Sequence, residues 1–164
     1  PNVFIGLKVV IGNNSTIHSF THLDDCKIGK NVSIGPNARI RPGSEIADEA
    51  KVGNFVEIKK SKIGKGSKVN HLAYVGDAIL GKNVNVGAGT ITCNYDGKNK
   101  YVTQIGDNAF IGSNSSLVAP LKIEKDAYIG SGSVITNNVS KGALAIERSH
   151  QTEIKNWSKR LKRK

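Results

Sequence analysis

Aliphatic side chains recur every six residues along most of this chain, and that spacing restricts the folds it can adopt. Six residues supply one short strand and one turn, and no single repeat buries its own apolar face, so neighbouring repeats must stack. The pattern predicts an all-β solenoid whose coils lie about 4.8 Å apart and hydrogen-bond to one another. The repeat positions are Ile5, Ile11, Ile17, Leu23, Ile28, Ile34, Ile40, Ile46, Val52, Ile58, Ile63, Val69, Val75, Leu80, Val86, Thr92, Ile105, Ile111, Leu117, Ile123, Ile129 and Ile135.

Glycine and small residues follow the repeat positions in register. Most of the 18 glycines come directly after a repeat position, as Gly12, Gly53 and Gly87 do. Glycine there permits a positive φ or a close backbone approach. Four residues after the repeat position stands a small or β-branched residue such as Ala38 or Ser67, which fits a narrow interior. Aromatic residues make up only 5% of the chain, which suits a core of stacked aliphatic layers.

The repeat is interrupted in places that indicate corners and a loop. Three steps have five residues instead of six, and we expect a tighter corner at each: Leu23 to Ile28, Ile58 to Ile63 and Val75 to Leu80. The interval from Thr92 to Ile105 is about one hexapeptide too long, polar, and contains Gly97. It predicts a loop that leaves the coil at about residues 93–104.

The end of the chain has a different character. After Ile135 the repeat fades, so we expect a β-helix domain over residues 1–139 and an extension over 140–164, with Trp157 in a short helix and a basic tail. The chain begins with Pro, and we expect it to be part of a longer protein. No apolar run is long enough to span a membrane and no signal-peptide pattern is present, which predicts a cytoplasmic protein.

The charge balance favours anionic partners. The chain has 24 Lys and Arg against 13 Asp and Glu, a formal net charge of +11, part of which belongs to the basic tail. Phosphorylated metabolites and nucleic acid would both be attracted. The two cysteines, Cys26 and Cys93, have no metal-type spacing and are expected to be free thiols.

Several motifs resemble a known family. The six-residue pattern looks like that of the hexapeptide-repeat acyltransferases, which implies a left-handed parallel β-helix of about seven coils with three hexapeptides per coil. The segments IRPGSEI, GNFVEIKK, KGSKVNHLAYVGDA and NVNVGAGTITCNYDGKNK resemble more narrowly the acetyltransferase half of the bifunctional N-acetylglucosamine-1-phosphate uridyltransferases/glucosamine-1-phosphate acetyltransferases. The uridyltransferase half has no counterpart in this chain.

This resemblance implies a reaction and an assembly. The expected reaction is acetyl transfer from acetyl-CoA to the amine of glucosamine 1-phosphate, which supplies UDP-N-acetylglucosamine for peptidoglycan and lipopolysaccharide synthesis. The implied assembly is a homotrimer with active sites between subunits. Neither a metal, a tightly bound cofactor, nucleic acid nor a membrane is expected to take part.

The resemblance also assigns roles to individual residues. His71 matches the catalytic base, and a histidine that titrates near neutrality suits deprotonation of a sugar ammonium. The positions that match the sugar-phosphate site are Arg41, Lys59, Tyr74 and Asn85. Those that match the acetyl-CoA site are Ala88, Asn94, Tyr95, Ser113, Ser131 and Arg148, and Lys100 in the expected loop could add charge to either substrate. Cys93 lies near the expected acetyl-CoA site, where direct transfer makes an acyl-cysteine unnecessary.

Other functions remain open on the sequence. A related acyltransferase could act on another amine or hydroxyl, although a coenzyme A site alone would not need Arg41, Lys59 and Tyr74 together. A non-catalytic basic solenoid could bind nucleic acid, but the four Tyr and four Phe are not clustered for base stacking. A β-helical carbonic anhydrase would need a set of three histidine ligands, which the sequence does not offer; His18, His22 and His150 are expected to be surface or structural residues.

Overall fold

The structure, a computed structural model, describes residues 1–158 and places them in a solenoid of short parallel strands. The described residues contain 23 strands, most of them two or three residues long. In chain order they are β1 Phe4–Ile5, β2 Val10–Ile11, β3 Thr16–Ile17, β4 His22–Leu23, β5 Cys26–Ile28, β6 Ser33–Ile34, β7 Arg39–Ile40, β8 Ser44–Ile46, β9 Lys51–Asn54, β10 Glu57–Lys59, β11 Lys62–Ile63, β12 Lys68–His71, β13 Tyr74–Gly76, β14 Ala78–Leu80, β15 Asn85–Val86, β16 Ile91–Cys93, β17 Thr103–Ile105, β18 Phe110–Ile111, β19 Ser116–Val118, β20 Leu121–Ile123, β21 Tyr128–Ile129, β22 Val134–Ile135 and β23 Leu144–Ala145.

Every third strand lies on the same face, so three parallel sheets form the walls. The described residues place β1, β4, β7, β10, β13, β16, β19 and β22 on the first face, β2, β5, β8, β11, β14, β17 and β20 on the second, and β3, β6, β9, β12, β15, β18, β21 and β23 on the third. The predicted all-β solenoid is confirmed. Seven complete coils are followed by a partial eighth, because β22 and β23 add strands to the first and third faces only. β23 lies within residues 140–164, so the third sheet reaches into the segment assigned to the extension.

The repeat positions from Leu23 to Ile135 are buried and form the core, whereas Ile5 and Ile11 in the first coil are exposed. Leu23, Ile40, Ile58 and Leu117 have no exposed surface. The small residues between them are buried too: Ser67 has no exposed surface, donates its hydroxyl to Gly81 O at 2.7 Å and accepts from Val84 N at 2.9 Å. A hydroxyl that bonds the neighbouring coil in this way adds no unsatisfied polar group to an aliphatic interior.

The glycines after the repeat positions mainly serve close packing between coils. A Cβ on Gly64 would lie 2.0 Å from Gly81 O, and one on Gly53 would lie 2.0 Å from Asn70 O. Positive φ occurs instead at the corners, including the three tight corners predicted from five-residue steps, where Asp25, Lys60 and Asp77 have φ of 39°, 47° and 48°. Glycine after a repeat position is therefore generally required by the close approach of the neighbouring coil and less often by a positive φ.

The expected loop leaves the solenoid between β16 and β17. Tyr95 and Lys100 form an antiparallel bridge across it. Asp96 Oδ1 accepts hydrogen bonds from the backbone N–H of Asn99 at 2.6 Å and of Lys98 at 2.7 Å, and these bonds lower the pKa of the Asp96 carboxyl. The loop is thus held by its own turn, and its base is closed by Tyr101 N donating to Asn94 O at 2.9 Å.

The C-terminal segment is described only in part. Trp157 and Ser158 are helical, which agrees with the short helix expected there, and most of the basic tail, residues 159–164, lies outside the described residues. Within residues 1–158, no helix is long and apolar enough to cross a membrane.

Candidate active site

Most of the residues assigned by sequence gather at the two edges of the first face. We call the edge where the third face passes into the first the histidine corner, defined by Asn54, His71, Ala88, Ser113 and Ser131. We call the edge where the first face passes into the second the lysine corner, defined by Arg41, Lys59, Asp77, Asn94 and Lys100.

The two predicted phosphate-binding cations lie one coil apart at the lysine corner. Ile40 pairs with Ile58 in the parallel ladder, so the next residues, Arg41 and Lys59, are stacked neighbours, and Arg41 N donates to Ile58 O at 2.8 Å. Arg41 Nη1 donates to Glu57 Oε1 at 2.9 Å across a partly exposed ion pair. The guanidinium is therefore held at the surface and retains further N–H donors for an anion.

Asp77 lies beneath these cations and is only 7% exposed. Its Oδ2 lies 3.4 Å from Lys59 Nζ and also accepts a hydrogen bond from Asn94 Nδ2. Lys100 reaches over from the loop, and contact with the Lys59 side chain lowers the pKa of Lys100. The corner thus concentrates positive charge around one buried carboxylate.

Tyr74 lies on the outer surface of the first face and points towards the lysine corner. It opens β13, and a Cβ on Gly76 would lie 2.4 Å from its phenol oxygen, so the ring lies over Gly76. Gly76 is the ladder partner of Lys59, so the phenol oxygen lies on the side of Lys59. Tyr74 and Gly76 face the same side of β13, so the ring extends along the strand towards the lysine corner and away from His71.

The histidine corner is a row of residues on successive coils. His71 pairs with Asn54, and the ladder places Ala88, Ser113 and Ser131 above it in that order. Their carbonyls accept from the next coil: Gly89 N donates to His71 O at 3.3 Å, Asn114 N to Ala88 O at 2.7 Å and Gly132 N to Ser113 O at 2.8 Å. The row forms a continuous edge along the solenoid.

Two other assigned residues lie close to this row. Arg148 Nη1 donates a hydrogen bond to the carbonyl oxygen of Ser131, which brings a guanidinium to the upper end of the row. Asn85 opens β15 on the third face, between Lys68 and Phe110 in the ladder and three residues before Ala88. Tyr95 belongs to neither corner, because it lies in the loop and donates its hydroxyl to Gly97 O at 2.6 Å.

The imidazole of His71 is exposed and makes no hydrogen bond with any side chain or backbone group in the part of the chain described. Two other histidines differ: His18 Nε2 lies 3.2 Å from Ser33 Oγ, and His22 stacks on Phe4 with ring centroids 4.2 Å apart. A ring with both nitrogens available at a surface edge is suited to accept a proton from a bound substrate.

Asp77 and Glu57 have no role predicted from the sequence, although both bond to assigned cations. The available signal was the five-residue step from Val75 to Leu80, which brings Asp77 into a tight corner. Asn94 was matched to acetyl-CoA, and the structure places it in the lysine corner.

The two cysteines differ in exposure: Cys26 is 2% exposed, and burial raises its thiol pKa to about 11, whereas Cys93 is partly exposed. Residues 1–158 contain no cluster of three or more His, Cys, Asp or Glu suited to a metal ion.

Comparison with known proteins identifies the relatives of this chain. The family model described as bacterial transferase hexapeptide (six repeats) matches residues 8–42, 25–60 and 103–137. The protein named bifunctional protein GlmU from Zymomonas mobilis subsp. mobilis is 57% identical over 164 residues, which is all of this chain and 36% of that protein. The chain therefore spans about a third of the length of this curated relative, and the resemblance to one part of a bifunctional enzyme is confirmed.

Solved structures share the fold at lower identity. LpxA, a UDP-N-acetylglucosamine acyltransferase from Bacteroides fragilis, superposes with a TM-score of 0.77 at 22% identity, covering 87% of this chain and 61% of LpxA. PerB from Caulobacter crescentus, solved in complex with CoA and GDP-perosamine, has a TM-score of 0.63 at 24% identity, covering 70% of this chain and 53% of PerB. These likenesses support the solenoid architecture.

Proposed function

We propose that this chain, which belongs to the bacterial transferase hexapeptide family, transfers an acetyl group from acetyl-CoA to the amine of glucosamine 1-phosphate. The observation that carries the proposal is the pairing of an unbonded imidazole, His71, with a separate cluster of cations, Arg41, Lys59 and Lys100. The product is N-acetylglucosamine 1-phosphate, used for UDP-N-acetylglucosamine and hence for peptidoglycan and lipopolysaccharide. Because acetyl-CoA and sugar phosphates meet in the cytoplasm, we place the reaction there.

His71 is the general base in this proposal. The sugar amine must lose a proton as it attacks the thioester carbonyl, and the exposed imidazole has a nitrogen free to take it. Direct attack forms the amide and expels CoA as the thiolate, which the protonated imidazole can then neutralise. Backbone N–H groups near Ser113 are candidates to bind the tetrahedral oxyanion, a contact whose loss typically lowers the rate by about 10²–10³-fold.

The lysine corner binds the phosphate. Arg41 offers a planar donor fork and Lys59 a point charge, a combination that suits a phosphate dianion. The phosphate would also separate the ammonium groups of Lys59 and Lys100, whose mutual contact lowers the pKa of Lys100 in the free protein. Tyr74 completes this subsite, since its phenol lies over Gly76, the ladder partner of Lys59.

Acetyl-CoA lies along the edge formed by the histidine corner. Ala88, Ser113 and Ser131 follow one another from coil to coil above His71, so an extended pantetheine chain laid on this row would bring the thioester to the imidazole. Arg148, which bonds to Ser131 at the upper end, is placed to meet a phosphate of CoA. Asn85 and the loop residues Asn94 and Tyr95 are the remaining substrate contacts.

A second copy of the chain completes the site, in a homotrimer. Within one chain, His71 and Gly76, the ladder partner of Lys59, lie at opposite ends of the first face, with the corner at Leu72 and strand β13 between them. Phe55 and Leu72 beside His71 are 59% and 63% exposed and hold φ of 54° and 49°, a strained conformation for bulky side chains. Large apolar side chains that are exposed next to a candidate site are typical of a surface that another subunit covers. Light scattering should give a mass of three chains; a monomer would refute the assembly.

The first test of the activity is release of thiol from acetyl-CoA. We expect release that depends on glucosamine 1-phosphate and is absent with glucosamine, because the lysine corner requires a phosphate. A panel of other amino sugars and hydroxyl acceptors serves as the comparison. If a member of that panel supports release and glucosamine 1-phosphate does not, the acceptor proposed here is wrong.

A further inference from the structure

The buried carboxylate of Asp77 has two side-chain partners, and both belong to the proposed site. Its Oδ2 lies 3.4 Å from Lys59 Nζ and accepts a hydrogen bond from Asn94 Nδ2. Its backbone also joins the preceding coil to the base of the loop, since Asp77 N donates to Lys59 O at 3.0 Å and Asp77 O accepts from Thr103 N at 3.2 Å. Asp77 is therefore placed where β13, the neighbouring coil and the base of the loop meet.

The fold of the corner does not by itself require a buried carboxylate. Asp25 and Lys60 occupy the same position in the other two five-residue corners, with similar positive φ, and both are exposed. Asp77 alone of these three is buried, because the loop that begins at Asn94 closes over it. Burying a carboxylate is costly unless charged or hydrogen-bonding groups compensate it. The compensation here comes from Lys59 and Asn94.

The bond to Asp77 also determines which way the Asn94 amide faces. A carboxylate only accepts hydrogen bonds, so the amide must turn its N–H₂ group towards Asp77 and its oxygen away. Asn94 is 7% exposed, and its Oδ1 receives no hydrogen bond from the residues described. Among the described residues only Thr21 Oγ1 and Thr103 Oγ1 are buried side-chain atoms without a partner, so Asn94 Oδ1 keeps accessible surface and is open to a substrate N–H.

We propose that Asp77 is a positioning residue, whose carboxylate holds the Lys59 ammonium and turns the Asn94 amide so that Oδ1 accepts a hydrogen bond from a substrate N–H. This rests on the acetyl transfer proposed above. Two substrates carry such a donor, the sugar amine and the pantetheine amides of acetyl-CoA. Asp77 itself touches neither substrate, so its effect must pass through Lys59 and Asn94.

The test is a double-mutant cycle of Asp77→Ala and Asn94→Ala on the full chain, measured as kcat and KM for each substrate. We expect Asp77→Ala to lower kcat/KM about 10–100-fold in the wild-type background, because residues that act as a unit are not additive. In the Asn94→Ala background, where only the contact with Lys59 remains to be lost, we expect a further loss of less than about threefold. If both variants reduce kcat, the amine is the donor; if both raise only the KM for acetyl-CoA, the pantetheine amide is.

The cycle separates positioning from a structural role. A structural role would reduce the active fraction by the same factor in both backgrounds, and equal factors would overturn the proposal. Asp107→Ala is the matched control: Asp107 also follows a glycine and holds a corner, accepting from Lys82 N at 2.7 Å, but it belongs to another corner. We expect it to retain wild-type kinetics.

If Asp77→Ala folds poorly, a second variant, Asp77→Asn, tests the same role. Asp77→Asn keeps the shape and one acceptor oxygen, so we expect a smaller loss, again confined to proteins that retain Asn94. Equal losses with and without Asn94 would overturn the role of Asp77 here too. A wild-type protein that releases no thiol with glucosamine 1-phosphate would instead overturn the proposed function and, with it, this role. The two failures are therefore distinguishable.

Discussion

Replacing His71 with Ala should reduce kcat about 10²–10⁴-fold while the KM values change little, because the variant lacks the base that accepts the amine proton. The fold should be unaffected, since the imidazole is exposed and makes no hydrogen bond in the described part of the chain. Steady-state kinetics with both substrates, together with thermal unfolding of the same preparation, measure the two effects separately.

Two comparison variants make the His71 result specific. His18→Ala removes a histidine that bonds to Ser33 on another part of the solenoid, and it should keep wild-type turnover. His71→Asn retains a hydrogen-bonding group of similar reach at the same position without a titratable nitrogen, and it should be nearly as slow as His71→Ala. An unchanged rate in His71→Ala would remove this residue as the base.

Replacing Arg41 with Ala should mainly raise the KM for glucosamine 1-phosphate, by roughly 10–100-fold. A charge-assisted hydrogen bond contributes about 1.5–3 kcal/mol, and the guanidinium meets the phosphate in the ground state as well as in the transition state. The kcat should therefore fall much less than the KM rises. Initial rates over a range of sugar-phosphate concentrations, at saturating acetyl-CoA, provide the measurement.

Arg39 offers a matched control for Arg41. It lies two residues earlier on the same coil, is exposed and pairs in register with Glu57, the residue whose side chain bonds to Arg41. Arg39→Ala removes the same charge from the same coil and should leave the KM for the sugar phosphate unchanged. An Arg41→Ala effect confined to the KM for acetyl-CoA would contradict the assignment of Arg41 to the phosphate.

The two predictions also separate the competing functions. A nucleic-acid-binding solenoid would lose affinity in proportion to the charge removed, so Arg39→Ala and Arg41→Ala would behave alike and His71→Ala would have little effect. An acyltransferase for an acceptor without phosphate would depend on His71 and not on Arg41. An activity that depends on His71 and Arg41 but is unchanged in Arg39→Ala is expected only for an amine acceptor that carries a phosphate.

The six-residue period was sufficient to predict the solenoid. Stacked coils need an inward aliphatic residue on every face, and Ile40, Ile58 and Leu117 are buried as their spacing requires. The period also predicted the tight corners and the loop after Thr92, because a break in register must be absorbed at a corner or outside the coil. It missed β23, whose pairing with β21 returns after the pattern has faded.

The site was only partly accessible from the sequence. His71, Arg41 and Lys59 were assigned to the candidate site through motif resemblance alone, since one imidazole or one surface cation carries no local signal of function. The row from His71 to Ser131 and the stacking of Arg41 on Lys59 follow once the ladder register is known.

The sequence by itself determined the repeat, the aliphatic core and the position of the loop, because these depend on spacing along the chain. Only the tertiary structure decided that Asp77 is buried, that Asn94 and Lys100 return from the loop to Asp77 and Lys59 respectively, and that Tyr74 points away from His71. Those contacts join residues of different coils and of the loop. Their geometry depends on how far each coil advances and where each corner turns, which a one-dimensional period does not contain.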